Sequence, residues 1–162
     1  MRDDVDTLVS AWQRERPDLD VSPLEVLSRV SRIARQLDIQ RKSAFAQVGL
    51  ETWEFDVLAA LRRAGSPPAL SPGQLGTQTL VTSGTMTNRV DRLEERGLVQ
   101  RERDVNDRRG VRVVLTDQGR DLVDRALAVW LDRERQLLSP LTDQERTELA
   151  NMLRSVALAF EG

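Results

Sequence analysis

Small polar side chains and arginines that could bind nucleic acid are concentrated in one stretch of the sequence. Hydroxyl and amide side chains stand at the start of an apolar helix pattern, and a polar turn further along carries two adjacent arginines. Groups of the first kind hydrogen-bond base edges when the start of a helix enters the major groove, and arginines suit a narrow minor groove. The stretch therefore predicts DNA contacts by Ser83, Thr85, Thr87, Asn88, Arg92, Arg108 and Arg109.

The same types of residue have ordinary structural uses as well. Serine and threonine at the start of a helix most often cap it. Charged residues at a hairpin tip are most often solvated, and arginine there also protects an edge strand. The prediction of DNA binding therefore depends on the whole order of elements around these residues.

Charge is distributed unevenly along the chain. The net charge of −2 argues weakly against a nucleic-acid partner. Between Arg89 and Arg112, however, there are eight arginines and six acidic residues, a balance of +2, whereas from Asp117 onward there are six arginines and nine acids, a balance of −3. A small basic patch is sufficient for binding, so this asymmetry matters more than the total.

The composition excludes several classes of chemistry. The 162 residues include no cysteine and no histidine, which removes disulfides, thiolate metal sites, the usual general base and the commonest metal ligand. Neither a Walker-type phosphate loop nor a Gly-x-Ser-x-Gly elbow occurs. We therefore expect no enzymatic activity, no metal and no cofactor, and an enzyme based on carboxylates or lysine is the weakest alternative.

The location of the protein follows from what the sequence lacks. No apolar run approaches the roughly 18 residues that are needed to span a membrane. The acidic N-terminus, MRDDVDTLVS, has no apolar signal core. We expect a cytoplasmic protein that associates with the nucleoid.

Hydrophobic periodicity and capping residues predict a mainly helical chain with a small β-hairpin. Apolar residues recur at i, i+3, i+4 and i+7 in the first segment, and glycine and proline mark most of the breaks. The expected elements are a helix up to Pro17, a helix from Ser22-Pro23, a short helix at 43–48, a helix capped by Thr52 and ending at Gly65, a short helix from Ser71-Pro72, a turn at Val81-Thr82, a helix at 83–96, strands at 98–103 and 110–115, and helices that begin at Thr116-Asp117 and near Thr142.

This order of elements defines a fold. A helix-turn-helix followed by a two-stranded hairpin is a winged helix-turn-helix. In such a fold the second helix of the motif enters the major groove and the hairpin tip can reach the adjacent minor groove. In this fold the start of the helix at 83–96 would contact the major groove, and the hairpin tip with its two arginines would contact the minor groove. Some winged helices, however, bind proteins instead of DNA.

A family resemblance rests on the stretch VTSGTMTNRVDRLEERGLVQRERDVNDRRGVRVVLTDQGRDLV. It is similar to the recognition helix, the wing and the following Leu-Thr-x-x-Gly helix start of the MarR family of bacterial transcriptional regulators. The resemblance covers nearly the whole chain and is most specific from Trp53 to Gly119. It implies an obligate homodimer, usually a repressor, whose first and last helices interlock and whose two lobes bind a near-palindromic operator.

The dimer also has support from the residues themselves. The terminal helices carry more apolar residues than one small lobe could cover, although these residues could also pack within one chain. The predicted division is N-terminal dimerisation and ligand-pocket helices at 1–50, a winged helix-turn-helix lobe at 51–116 and C-terminal dimerisation helices at 117–162.

A narrower resemblance is to the urate-responsive branch of that family. LVSAWQRER supplies a tryptophan, Trp12, in an N-terminal helix, and WEFDVLAALRRAG supplies an aspartate, Asp56. Arg89 in the recognition helix and Arg101 at the entry to the wing supply two arginines. The resemblance implies that these four residues bind urate or a related small anion as the effector.

The chemistry of the four residues suits such a ligand. An aromatic face, a guanidinium and a carboxylate acceptor can bind a flat, polar, anionic heterocycle. Considered singly, Trp12 could be a core aromatic, Arg89 and Asp56 could form a salt bridge, and Arg101 could contact phosphate. Two alternative functions therefore stay open: a DNA-binding regulator without small-molecule input, and a winged-helix module that binds a protein.

Overall fold

The computed structural model of the protein describes residues 2–66, 68–104 and 110–160. Within these residues it has seven helices and three strands: α1 (Asp4–Glu15), α2 (Pro23–Ala46), α3 (Thr52–Arg63), β1 (Ala69–Leu70), α4 (Pro72–Thr79), α5 (Ser83–Glu95), β2 (Val99–Arg103), β3 (Val111–Leu115), α6 (Asp117–Leu137) and α7 (Asp143–Leu158). The prediction of a mainly helical winged helix-turn-helix is confirmed. Across this described part, no helix is both long enough and apolar enough to cross a bilayer.

The chain divides between Ser43 and Ala44 into two compact units. In the first unit, Asp3 caps α1 by accepting hydrogen bonds from the backbone N–H groups of Val5 and Asp6. Arg29 of α2 donates to the carboxylates of Asp3 and Asp6 at 2.8 and 2.7 Å. Hydrogen bonds from Arg29 lower the pKa of Asp3 to about 2. The Arg29–Asp3 ion pair is therefore fully present above the ordinary aspartate pKa and is lost only as the pH falls toward 2.

The second unit contains the helix-turn-helix. Ser71 caps α4, and Gln74 completes a capping box with hydrogen bonds of 3.2 and 2.8 Å. Leu80 ends that helix in the left-handed region, at φ 55°, and Thr82 then caps α5 by accepting from the backbone N–H of Thr85. Local capping chemistry therefore fixes both ends of the turn, which includes the predicted Val81-Thr82.

The wing is part of a three-stranded antiparallel sheet in the order β1-β3-β2. Val99 pairs with Leu115 in the predicted hairpin, and Ala69 of β1 pairs with Val114. The hairpin is confirmed, but the prediction of only two strands is wrong. A two-residue strand is too short to show the alternation by which strands are recognised in a sequence.

Two further details of the predicted elements are wrong. The short separate helix expected at 43–48 does not form, because α2 continues to Ala46 and buries Ala44 and Phe45. Phe45 stacks on Phe55 with their ring centres 4.0 Å apart, so the end of α2 contributes to the core of the second unit. The cap of α3 is Glu51 rather than Thr52, which is already the first helical residue.

A close approach of backbone segments joins α6 to the sheet. The Thr116 side chain caps α6 by accepting from the backbone N–H of Gly119, and its hydroxyl lies 2.8 Å from the carbonyl oxygen of Gly97. A Cβ atom added to Gly119 would lie 2.0 Å from the carbonyl oxygen of Leu98. The Leu-Thr-x-x-Gly pattern thus has a physical basis, with threonine as the cap and glycine as the only residue that fits.

Candidate nucleic-acid interface and effector site

The fold sorts the side chains of α5 into a buried and an exposed face. Met86, Val90 and Leu93 are buried in the core of the second unit. The residues of α5 that were predicted to contact DNA are all exposed, namely Ser83, Thr85, Thr87, Asn88 and Arg92, and Thr85, Asn88 and Arg92 lie on or toward the face opposite the core. The sequence of α5 therefore places hydrogen-bonding groups on the solvent side of the helix, as direct readout of base edges requires.

The hairpin tip was the second predicted DNA contact. Arg108 and Arg109 lie outside the described residues, so their role stays a prediction. The base of the hairpin is described, and there the backbone N–H of Asp104 donates to the carbonyl oxygen of Gly110 at 2.9 Å.

A cluster that the sequence did not predict joins the start of α3 to α5. The guanidinium carbon atoms of Arg89 and Arg92 lie 5.4 and 4.8 Å from the centre of the Trp53 ring. Arg92 also pairs with Glu51 at 3.1 Å, and the indole N–H of Trp53 donates to Glu51 at 2.7 Å. Hydrogen bonds from Trp53 and then Arg92 lower the pKa of Glu51. We call Glu51, Trp53, Arg89 and Arg92 the indole cluster.

A third arginine fastens the other end of α5 to the same region. Arg96 pairs with Glu54, which is only 2% exposed, and donates to the carbonyl oxygen of Gly49 at 2.9 Å. Glu54 also accepts a hydrogen bond of 2.8 Å from the backbone N–H of Glu51. The orientation of the recognition helix therefore depends on polar contacts with the start of α3.

Replacing Glu54 with glutamine is expected to lower the free energy of unfolding by about 1.5–3 kcal/mol, because hydrogen bonds to a charged group contribute about that much. Arg96 is half-exposed and regains some hydration, which keeps the loss below that of a fully buried pair. Urea unfolding measures the change. Glu95→Gln, on the exposed side of α5, is the matched control and should change the free energy by less than about 0.5 kcal/mol. Equal unfolding curves for the two variants would contradict the role given to Glu54.

The residues predicted to bind the effector occupy different environments. Trp12 is 49% exposed on α1, and Arg89 is half-buried beside Trp53. Asp56 is half-buried on α3, three residues after Trp53 and therefore on the same side of that helix. A cavity of about 510 Å³ on α2 is lined by Arg32, Arg35, Gln36 and Ile39 and includes none of the four residues. Their role in binding an effector stays a prediction.

Arg101 has partners within the second unit. It forms ion pairs with Asp91 and Glu94 of α5, and its backbone N–H donates to Glu94 at 2.9 Å. Burial lowers the pKa of Arg101, but the hydrogen bonds with Asp91 and Glu94 outweigh this effect and leave the pKa raised. The side chain therefore braces the wing against the recognition helix, and an anionic ligand would have to compete with two carboxylates for it.

Trp53 is the residue that sequence reasoning did not assign to the site. One signal was present, since Trp53 precedes Asp56 by three residues and Arg89 precedes Arg92 by three. Residues at this spacing are neighbours on a helix surface. What the sequence did not contain was the contact between the two helices, which depends on tertiary packing.

The fold and the exposed residues of α5 define the chain as a winged helix-turn-helix protein. A model of the MarR family matches residues 48–110. The chain is 39% identical to the HTH-type transcriptional regulator PecS of Dickeya dadantii (strain 3937) over 153 residues. The aligned residues cover 94% of this chain and 92% of that protein. The protein belongs to the MarR family of transcriptional regulators, and these relatives confirm the prediction that it is not an enzyme.

One further relative supports this assignment, and one solved structure shows the same fold. The HTH-type transcriptional repressor Rv2887 of Mycobacterium tuberculosis (strain ATCC 25618 / H37Rv) is 31% identical over 137 residues, which cover 85% of this chain and 95% of that one. The structure of Sco3205, a MarR family transcriptional regulator from Streptomyces coelicolor in complex with DNA, superposes with a TM-score of 0.74 at 24% identity, covering 88% of this chain and 93% of that one. The second likeness supports the fold.

Proposed function

We propose that the protein is a homodimeric repressor that binds a near-palindromic operator and is released from it by urate or a related small anion. The observation that carries the proposal is the position of Arg89. This arginine shares α5 with the exposed Ser83 and Asn88, yet its guanidinium lies over Trp53 of the same unit. One rigid helix thus connects the DNA-facing residues with a cation that is available to a ligand. The protein would act in the cytoplasm, on the nucleoid.

The exposed face of α5 supports the DNA half of the proposal. Its N-terminal half would enter the major groove, with Arg92 near the phosphates and with Arg108 and Arg109 in the minor groove. In a symmetric dimer the two recognition helices would lie about 34–36 Å apart, which is one turn of DNA. A relative described as a repressor favours repression over activation.

Exposed apolar residues on helices near both chain ends support the dimer. On α2 they are Val26, Leu27, Val30, Ile33 and Ile39. No residue of α7 is buried, and the exposed apolar residues on or just after it are Met152, Leu153, Val156, Leu158 and Phe160. Soluble monomers rarely leave so much apolar surface in contact with water, so we propose that a second copy of the chain covers it.

The effector half of the proposal uses Trp12, Asp56, Arg89 and Arg101. An anion that draws Arg89 toward itself would shift α5, so that the two lobes would no longer fit the operator. A bound anion near Asp56 would also place like charges together. The anion must bind the form that cannot bind DNA more tightly, by about 1–3 kcal/mol for a typical coupling, and operator DNA must weaken anion binding equally.

A gel-shift assay on the intergenic DNA that flanks the gene tests the proposal. We expect a shifted band at low salt that is lost on adding urate, and we would compare xanthine and citrate in the same assay. A shift that none of the three compounds alters would favour a regulator without small-molecule input. No salt-dependent shift at all would favour a winged-helix module that binds a protein partner.

A further inference from the structure

A single indole ring serves two arginines of the recognition helix. The guanidinium carbon atoms of Arg89 and Arg92 lie 5.4 and 4.8 Å from the centre of the Trp53 ring. Both distances are shorter than about 6 Å, the limit within which a cation is attracted to the face of an aromatic ring. Because the two arginines are three residues apart on α5, their like charges also repel each other. Each arginine therefore weakens the cation–π interaction between Trp53 and the other arginine.

Glu51 makes the two arginines unequal. Its carboxylate accepts hydrogen bonds from Arg92 at 3.1 Å and from the indole N–H of Trp53 at 2.7 Å. Arg92 is thus the arginine that Trp53 and Glu51 together can withdraw from the exposed face of α5. If Arg89 moves away from the Trp53 ring, Arg92 becomes the only arginine in contact with that ring.

We propose that Trp53 is a positioning residue that makes Arg89 and Arg92 compete for one binding place, and so couples the effector to the operator. The inference rests on the proposed function and deepens it. When an anion draws Arg89 away from the Trp53 ring, the repulsion between the two arginines disappears. Arg92 then interacts more strongly with Trp53 and Glu51. Arg92 is then less available to a phosphate of the operator, and DNA affinity falls.

The same competition works in the opposite direction. A DNA phosphate that draws Arg92 away from Trp53 leaves the ring to Arg89. Arg89 is then bound more firmly and is less available to an anion. Operator DNA thereby lowers the affinity for the effector, and the effector lowers the affinity for the operator by the same factor, as thermodynamic linkage requires.

A double-mutant cycle without any effector tests the competition. The readout is the affinity for a duplex from the DNA that flanks the gene, measured for the parent, Arg89→Gln, Trp53→Leu and the double variant. In the parent background Arg89→Gln should leave the Trp53 ring to Arg92, as an anion that withdraws Arg89 would. It should weaken binding by about two- to fivefold more than in the Trp53→Leu background, the factor that corresponds to one exposed cation–π contact.

The cycle separates this coupling from simple electrostatics. Arg89→Gln removes one positive charge in both backgrounds, so the general loss of attraction to DNA cancels. Trp53→Phe keeps an aromatic face and should keep most of the coupling, whereas Trp53→Leu should remove it. An equal effect of Arg89→Gln in all three backgrounds would overturn the inference.

A spectroscopic arm addresses the parent chain directly. With 5-fluorotryptophan in place of tryptophan, the ¹⁹F resonances of Trp12, Trp53 and Trp130 are assigned by single substitutions to phenylalanine. Adding the duplex should shift the Trp53 resonance, and Arg92→Gln should abolish that shift. A Trp53 resonance that does not respond to DNA would overturn the inference.

These results also distinguish the inference from the proposed function. Should urate leave the duplex bound while the cycle shows coupling, the effector half of the proposed function fails and the competition at Trp53 stands. Should urate release the duplex equally well from the parent and from Trp53→Leu, the proposed function stands and the inference fails. If the parent chain does not bind the duplex at low salt, both fail.

Discussion

The Arg108→Ala variant is expected to bind the operator more weakly than the parent protein and to lose part of the salt dependence of binding. Each phosphate charge that the protein neutralises contributes about 0.9 to the slope of log K against log salt, so losing one cation from the minor groove in each of two subunits should reduce the slope by about 1.8. A dimer with about six to ten phosphate contacts loses roughly 10³–10⁵ in affinity between 50 and 200 mM salt.

The measurement is the dissociation constant of a flanking duplex at several salt concentrations. Arg125→Ala is the matched control, because Arg125 is an exposed arginine of α6 in the acidic C-terminal part of the chain. That variant should keep the slope of the parent. An unchanged slope for Arg108→Ala would remove the residue from the set of DNA contacts.

Replacing Gly119 with alanine should have the largest effect on stability. The added Cβ atom would lie 2.0 Å from the carbonyl oxygen of Leu98 and 3.0 Å from a side-chain atom of Leu115. A backbone oxygen cannot rotate away as a side chain can, so the start of α6 would have to move from the sheet. We expect a loss of about 3 kcal/mol or more in the free energy of unfolding, the upper end of the cost of overpacking.

Urea unfolding of the Gly119→Ala variant measures this loss, and Gly84→Ala is the control. Gly84 lies within α5, and an added Cβ atom there would meet nothing within 4 Å. Alanine at position 84 should raise the stability by up to about 1 kcal/mol, because glycine is a poor helix former. A Gly119→Ala protein as stable as the parent would show that α6 does not approach the sheet so closely.

The helix starts were predictable because capping is local chemistry. Ser71, Thr116 and Thr142 each cap the helix that the sequence assigned to them, whereas Thr82, which was predicted only as part of the turn, caps α5. A side-chain oxygen that reaches a backbone N–H three residues ahead needs no information from the rest of the fold. The exposed and buried faces of α5 followed in the same way from a period of 3.6 residues.

Tertiary contacts account for what the sequence did not predict. α2 continues through residues 43–46 because Phe45 stacks on Phe55, a contact that no local pattern announces. β1 exists because two residues pair with β3 across more than forty positions of sequence. The partners of Arg101 are close in sequence, yet only the packing of β2 beside α5 shows that Asp91 and Glu94 occupy its guanidinium.

In the candidate site, too, local patterns were predictable from the sequence and contacts between helices were not. The exposed residues of α5 could be assigned from the order of elements, whereas Trp53 could not. Its role depends on the approach of α3 to two arginines on a different helix. Residues that act through contacts between helices are the ones that a pattern in a single sequence leaves out.

The central claim is that Arg89 connects anion binding with the position of the recognition helix. The most direct test compares the operator affinity of the parent and of Arg89→Ala as urate is added. We expect the affinity of the parent to fall by about 5- to 150-fold, the range of a typical coupling, and that of the variant to stay constant while its fold is retained. Release of DNA from Arg89→Ala at the urate concentration that releases the parent would contradict the claim.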